Sequence, residues 1–320
     1  MTDSDFLAEL HTRFEAPRDL VVALIEQETR SSVGDLRRLT LGDENEVYEV
    51  RLSAGPVLYA RIRRPGEGTF ESEIWAMDRA RSAGVPVPHL LAVSEIVTEV
   101  GPRSIMLIAS SAGRQLSAVL PALTAKQRES ALKNVGRVLA VLHSVTTPGV
   151  GRPDADGNWP DAHEARRAFI VERTGQRDHL ATAGLTAAEV EAVMEQIGQS
   201  PDTPATTDPV LCHGDLHADH VFVDDDLEVC GIIDWGLWHG GSTIGELAAI
   251  SMSYEPSAAD TIVAGYNVIG EDQPALRRRL ALALINQALG HIAWHESLGN
   301  ASGTAHYVRA LRSALAEIHA

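Results

Sequence analysis

Ligand-type side chains crowd one stretch of this chain. From Val210 to Trp235 it reads VLCHGDLHADHVFVDDDLEVCGIIDW, with Asp215, His217, Asp219 and His220 in one loop and Asp234 further on. Carboxylates and imidazoles are ligands for divalent cations, and an aspartate among them can take a proton from a reacting hydroxyl. The β-rich runs Val221 to Val223 and Leu227 to Ile233, joined by the acidic turn Asp224-Asp225-Asp226, predict a hairpin. Its two ends are neighbours, so the loop His213 to His220 is brought beside Asp234. Like carboxylates repel and burial penalises each charge, so this density predicts a divalent metal site.

The elements around the hairpin divide in two. Residues 5–30 have a helical pattern, Leu39 to Val50 and Val57 to Arg63 look like strands, and Phe70 to Ala83 is an amphipathic helix that stops at Gly84 before Pro86 and Pro88. Val93 to Val100 and Ser104 to Ala109 add two strands around Gly101-Pro102. From Leu116 the pattern changes to long helices: Ala125 to Ser144, with Leu132, Val135, Leu139 and Leu142 on one face, then 186–197, 243–254 and 275–297. This predicts an α+β chain with a small antiparallel sheet in residues 1–109, a mostly helical part in 110–320 and a hinge at about 105–113. The Pro-, Gly- and Asp-rich stretch 148–163 reads as a surface excursion.

Composition narrows the partners. The 320 residues carry 44 acidic and 27 basic side chains, a net charge of −17, the wrong sign for a nucleic-acid binder. Met1 to Leu10 has acidic residues where a secretory signal is basic, and no run is long enough to span a bilayer, which predicts a cytoplasmic protein without a membrane partner. Cys212 and Cys230 sit in apolar runs and read as buried thiols. Lys126 and Lys133 are the only lysines, so the other 27 − 2 = 25 basic residues are arginines.

The sequence HGDLHADH at 213–220 followed by GIIDW at 231–235 resembles the aminoglycoside and macrolide phosphotransferases, antibiotic kinases with a bilobal protein-kinase-like fold. The resemblance implies that Asp215 is the catalytic base for an acceptor hydroxyl, while His220 and Asp234 hold Mg2+, with Mn2+ as an alternative, on ATP or GTP. Most of that family has Asn where His220 stands, and an imidazole suits manganese better than magnesium. His220 tilts the acceptor slightly toward macrolides. The negative charge tilts it toward aminoglycosides, and the choice stays open. With no lysine before residue 126, Arg61 is the substitute for the nucleotide cation, paired with Glu73 on the following helix. Gly42 and Asn45 resemble the nucleotide loop, and Ile108, Ala109 and Ser111 the hinge that meets adenine. Trp238 and His239, just past Asp234, are acceptor candidates together with Asp219 and His217. Leu142-His143 matches the end of the family's first large helix, where His143 reads as a packing or capping residue. Thr243 and Glu246 read as a T-x-x-E capping box.

Two alternatives accompany this expectation. Within the family the enzyme could be a metabolic kinase of an amino alcohol or sugar. Outside it, Asp215-x-His217-x-Asp219-His220 resembles a zinc metallohydrolase loop. The preceding His-Gly and the trailing IIDW hairpin are then unexplained.

Overall fold

A computed structural model describes residues 15–40, 45–198, 208–266 and 273–319. Helix α1 (Arg18–Thr29) precedes strands β1 (Val33–Leu39), β2 (Asn45–Leu52) and β3 (Val57–Arg63), then helix α2 (Glu71–Ser82) and strands β4 (Leu90–Thr98) and β5 (Gly101–Ala109). The strands form one antiparallel sheet in the order β1-β2-β3-β5-β4. One expectation changes here: Leu39 closes a separate first strand instead of opening the second. Gly42 lies outside the described residues. Polar Gly34, Asp35, Arg37 and Arg38 dilute the β signal of β1, and only pairing with β2 makes it a strand.

Period-two alternation sets the two faces of this sheet. Leu58, Ala60 and Ile62 of β3, with Ile105 and Leu107 of β5, pack against Val21 and Ile25 of α1. Residues between them turn the other way, so Met106 and Ile108 join the main core below and Tyr59 packs against it. Arg61 and Arg63 share that second face, as a spacing of two requires.

Beyond Ala109 the chain runs through β6 (Arg114–Gln115) and a short helix α3 (Leu116–Val119) to α4 (Ala125–Leu142). Thr124 and Gln127 form a capping box at the start of α4, which buries Leu132, Val135, Leu139 and Leu142. Helices α5 (Ala162–Gly175), α6 (Arg177–Thr182) and α7 (Ala187–Gln196) follow, then β7 (Val210–Cys212), β8 (Val221–Val223), β9 (Val229–Ile232) and β10 (His239–Gly241). β8 and β9 form the expected hairpin, with β6 on its outer edge, while β10 pairs with β7. Helices α8 (Thr243–Ser253), α9 (Pro256–Tyr266), α10 (Gln273–Ser297) and α11 (Ala301–His319) complete the helical part. No helix among the described residues is long and apolar enough to cross a membrane.

The stretch 148–163 is more than a surface excursion. Gly151 bridges to Gly240, and Arg152 donates to the carbonyls of Gly236 and Trp238. Trp159 packs edge-on against Trp75 of α2 and Trp238. α2 therefore contributes to the core of the helical part, and Phe70, Ala76 and Met77 belong to the same buried cluster as Leu132 and Leu211. Cys212 is buried as expected, whereas Cys230 is half-exposed and donates to the carbonyl of Ala112 beside the hinge.

Candidate active site

The loop between β7 and β8 is held in shape by its own backbone. Gly214 has φ +84°, and a Cβ there would lie 2.1 Å from the carbonyl oxygen of Leu237, so no larger residue fits. His213 is fully buried. Its Nε2 donates to the carbonyl of Ile233 at 2.9 Å, and its Nδ1 accepts from the Asp215 amide at 3.3 Å. Burial lowers its pKa and so favours the neutral ring, while the two hydrogen bonds select the tautomer. One imidazole thus ties the loop to the residue before Asp234.

His220 is oriented the same way. Its Nδ1 donates to the Asp215 carbonyl at 2.8 Å, leaving the Nε2 lone pair 3.6 Å from Asp234 Oδ2. Two donors bound to one cation at about 2.0–2.2 Å each come this close to one another, so the pair fits a divalent ion. Asp234 adopts φ +63°, a left-handed conformation uncommon outside glycine, as the chain turns from β9 into a 3-10 turn. Burial pushes its pKa up, but Arg61 and the two histidines outweigh that and hold it below the ordinary value.

The surroundings of Asp234 are completed from the small sheet. Arg61 Nη1 pairs with Glu73 Oε1, while its Nη2 reaches Asp234 Oδ1 at 3.0 Å. Arg63 touches the other oxygen of Glu73 at 3.4 Å. Both arginines serve the buried glutamate, and the one that spans to Asp234 is Arg61. Asn45 opens β2 opposite Arg63 with its side-chain carbonyl buried and unpaired. Ile108 and Ala109 end β5, and the Ala109 amide is spent on the His89 carbonyl. Ser111 packs so closely on Gly231 that a Cβ there would lie 2.7 Å from the serine side chain.

The remaining site expectations separate sharply. Asp215 has a half-exposed carboxylate, 3.6 Å from His220 Nδ1 and 3.8 Å from His217 Nε2. His217 Nδ1 accepts from the Asp219 amide, which aims its Nε2–H toward Asp215. Asp219 points outward and accepts from Ser117, bracing the loop against α3 rather than facing an acceptor. Trp238 is 1% exposed and stacked on Trp75 at 5.0 Å, which leaves it no face for a ligand.

Glu246 overturns the capping box. Ser242 caps α8 through the Gly245 amide, and Glu246 turns inward. Its Oε1 accepts from the Gly214 amide at 2.8 Å, and its Oε2 meets His143 Nε2 at 2.7 Å. Burial opposes its charge, but the His143 hydrogen bond and the neighbouring imidazoles lower its pKa. His143 caps α4 and also buttresses the loop through Glu246. A signal existed in the sequence: an acidic residue inside the apolar run IGELAAI is costly to bury without a partner.

A cleft of about 1220 Å³ opens at Gly214 and runs between α5, β10 and α10. His239 lines it, as do Arg173, His179, His291 and Trp294. Among the tryptophans, Trp294 alone lines it.

Residues 35–282 match the family model described as the phosphotransferase enzyme family, and the chain belongs to that family. The chain is therefore a phosphotransferase. It is similar to a crystal structure of a thermostable aminoglycoside phosphotransferase mutant in ternary complex with ADP and hygromycin B, with TM-score 0.68 and 18% identity over 93% of this chain and 98% of that one. A protein named as a fructosamine-3-kinase from Thermobifida fusca superimposes with TM-score 0.64 and 20% identity, covering 94% and 99% of the two chains. Among curated proteins it is 24% identical over 244 residues to acyl-CoA dehydrogenase family member 10 of Mus musculus, a match to 72% of this chain. The chain spans about a fifth of the length of that relative (21%). Asp215, His217 and His220 do offer ligand atoms within 4.8 Å of one another, the trio a zinc hydrolase would need. Family membership and the kinase-like architecture leave that alternative without a scaffold.

Proposed function

We propose that this chain is a small-molecule kinase that transfers the γ-phosphate of ATP or GTP to an acceptor hydroxyl. The observation that carries the proposal is the convergence on Asp234: His220 from the loop and Arg61 from the small sheet meet the same carboxylate. A phosphoryl group in flight needs charge neutralisation and alignment more than covalent chemistry, and these groups supply both.

In the reaction the acceptor oxygen forms a new bond to the γ-phosphorus, the bond from that phosphorus to the bridging oxygen breaks, and the nucleoside diphosphate leaves. The acceptor proton goes to Asp215. Arg61 is the phosphate anchor, its fork shared between Glu73, which holds it in place, and the side of the site where the triphosphate lies. His220 Nε2 and Asp234 are the ligands for Mg2+ or Mn2+, which when bound neutralises charge on the phosphate oxygens. His213 and Glu246 act on the loop backbone, keeping Asp215 and His220 in register.

The acceptor is a small hydroxylated molecule. The solved relatives above carry names as different as aminoglycoside phosphotransferase and fructosamine-3-kinase, so an antibiotic and a metabolic amino alcohol or sugar are both acceptor classes to assay. The test is nucleotide-dependent release of ADP or GDP with a panel of macrolides, aminoglycosides, amino alcohols and sugars. Release that requires Mg2+ and disappears in both Asp215→Asn and Asp234→Asn is expected. Release that persists in both variants would remove the proposed site.

A further inference from the structure

The cleft that opens at Gly214 is faced by a helix with no core of its own. α5 buries none of its 14 residues, whereas α8, on the far side of the cleft, buries six of 11. Ala165, Ala168, Phe169 and Glu172 recur at the spacing of one helical face, and all four line the cleft. The helix is held from its flank, where Arg166 donates to the Gly198 carbonyl at 3.1 Å. Its apolar stripe therefore looks into the cleft rather than onto protein.

The opposite wall matches it. On α10, Ala283, Gly290 and Ala293 line the cleft and leave room, and Trp294 follows with 51% of its surface exposed. At the loop end Leu237, whose carbonyl packs on Gly214, is 45% exposed. Single exposed apolar side chains are ordinary, but Leu237, Phe169 and Trp294 reach one cleft from three separate segments, which marks a binding surface.

The charged groups of the wall are matched to one another. Arg173 lies over the Phe169 ring at 5.0 Å and pairs with Glu172 at 2.7 Å, and Glu246 is shared between the Gly214 amide and His143. Among the described residues these two glutamates are the carboxylates that line the cleft, and Arg173 is its arginine. An ammonium or a carboxylate entering here would give up its hydration without an open partner of opposite charge, a loss that an apolar group does not carry.

We infer that the acceptor is an uncharged alcohol with a sizeable apolar part, which lies between Phe169 and Trp294 and past Leu237 while the hydroxyl goes to Asp215. This rests on the kinase assignment and deepens it by naming the acceptor class. It runs against the expectation from the net charge of −17, because the carboxylates that would hold a polycation are not open on the cleft wall. Burial of the part that does not react supplies binding energy for holding the hydroxyl in line.

The experiment uses the full chain loaded with ADP and a series of alkyl β-glucosides from methyl to hexyl, which share their hydroxyls and differ only in apolar length. Binding of each, and of the amine-bearing hygromycin B, is measured by calorimetry, together with binding of Mg–ATP. Affinity should rise about twofold or more for each added methylene, about 30-fold or more across the series. Phe169→Ala and Trp294→Ala should each cut that gain by about fivefold or more. Val171→Ala, on the outer face of α5 at 70% exposed, should leave it unchanged. Mg–ATP affinity in each variant reports that the protein remains folded. Affinity that does not depend on chain length, no glucoside that binds, tighter binding of hygromycin B than of the hexyl glucoside, or the same gain in both cleft variants would overturn the inference and leave the kinase assignment standing. Mg–ATP binding that is absent, or that Asp234→Asn leaves unchanged, would instead remove the kinase assignment beneath it.

Discussion

The two sides of the cleft are built on opposite plans. On the phosphate side the groups come from distant parts of the chain but meet through charge: Arg61, Glu73, His220 and Asp234 are each within reach of an opposite or ligating partner. On the acceptor side the wall is assembled from three helical or strand segments whose polar groups mostly answer to each other, and its shape rather than its charge distinguishes it. On the proposed kinase reading, one side is fixed by what the reaction must neutralise, and the other by which hydroxyl it is offered. The fold can therefore keep the first constant while the second varies.

The largest expected effect separates chemistry from binding at the boundary of the two sides. Asp215→Asn keeps the shape of the side chain but removes the proton acceptor, so kcat should fall by about 10²-fold or more while nucleotide affinity changes little. Steady-state kinetics with nucleotide binding by calorimetry checks this. Equal losses in both would assign Asp215 to the phosphate side.

Glu246 tests whether the two sides share one support. Glu246→Gln leaves Gly214 and His143 with a weaker partner in a dry site, and breaking such a buried pair costs about 3 kcal/mol or more. The pH dependence follows from the direction of its shift. A carboxyl whose folded pKa is depressed stabilises the fold fully above its unfolded pKa, and that contribution is lost as pH falls through the folded pKa. The wild type should therefore lose stability on acidification below the ordinary carboxylate range, and Glu246→Gln should lose less of it there. Urea midpoints measured across acidic pH give the slope. An identical slope in both proteins would show that other carboxylates dominate.

Arg61 and Arg63 sharpen the phosphate side from within. They lie on one face of β3 and both touch Glu73, so their difference rests on the reach of Arg61 to Asp234. Arg61→Ala should raise the nucleotide KM by about 10- to 100-fold, the worth of a charge-assisted bidentate contact. Arg63→Ala should cost severalfold, through a loosened Glu73. Equal effects would mean that both arginines hold phosphate.

What could be read from the sequence follows the same division. The loop, the hairpin and the Arg61–Glu73 pairing were legible because each depends on short spacing or on one strand and its next helix: 57–63 is β3, and 71–82 fills the expected helix. The acceptor wall was legible only at His239, because Arg173 and His291 come from α5 and α10 and no periodicity says which helical faces will meet. Trp238 illustrates the failure. Its position after Asp234 suggested a ligand contact, but Trp75 and Trp159, 163 and 79 residues away in the chain, close over it. Glu246 failed for another reason: a T-x-x-E pattern fits a local cap, and the tertiary pull of the Gly214 amide and His143 prevailed over it.

The smallest expected effect probes the proposed metal ligand at position 220. His220 meets Asp234 through Nε2 because its Nδ1 is held by the Asp215 carbonyl. An asparagine in its place offers an amide oxygen, a harder ligand that favours magnesium, while its shorter side chain gives up the hydrogen bond to Asp215. His220→Asn should therefore retain magnesium-dependent turnover within about tenfold of wild type and lower the ratio of manganese- to magnesium-supported kcat/KM by severalfold. His217→Gln is the control, since His217 faces Asp215 rather than Asp234 and should leave that ratio where it was. The measurement is turnover against free metal concentration for both ions in the three proteins. An unchanged ratio in His220→Asn would take the imidazole out of the metal shell and leave it the single task of holding the Asp215 carbonyl.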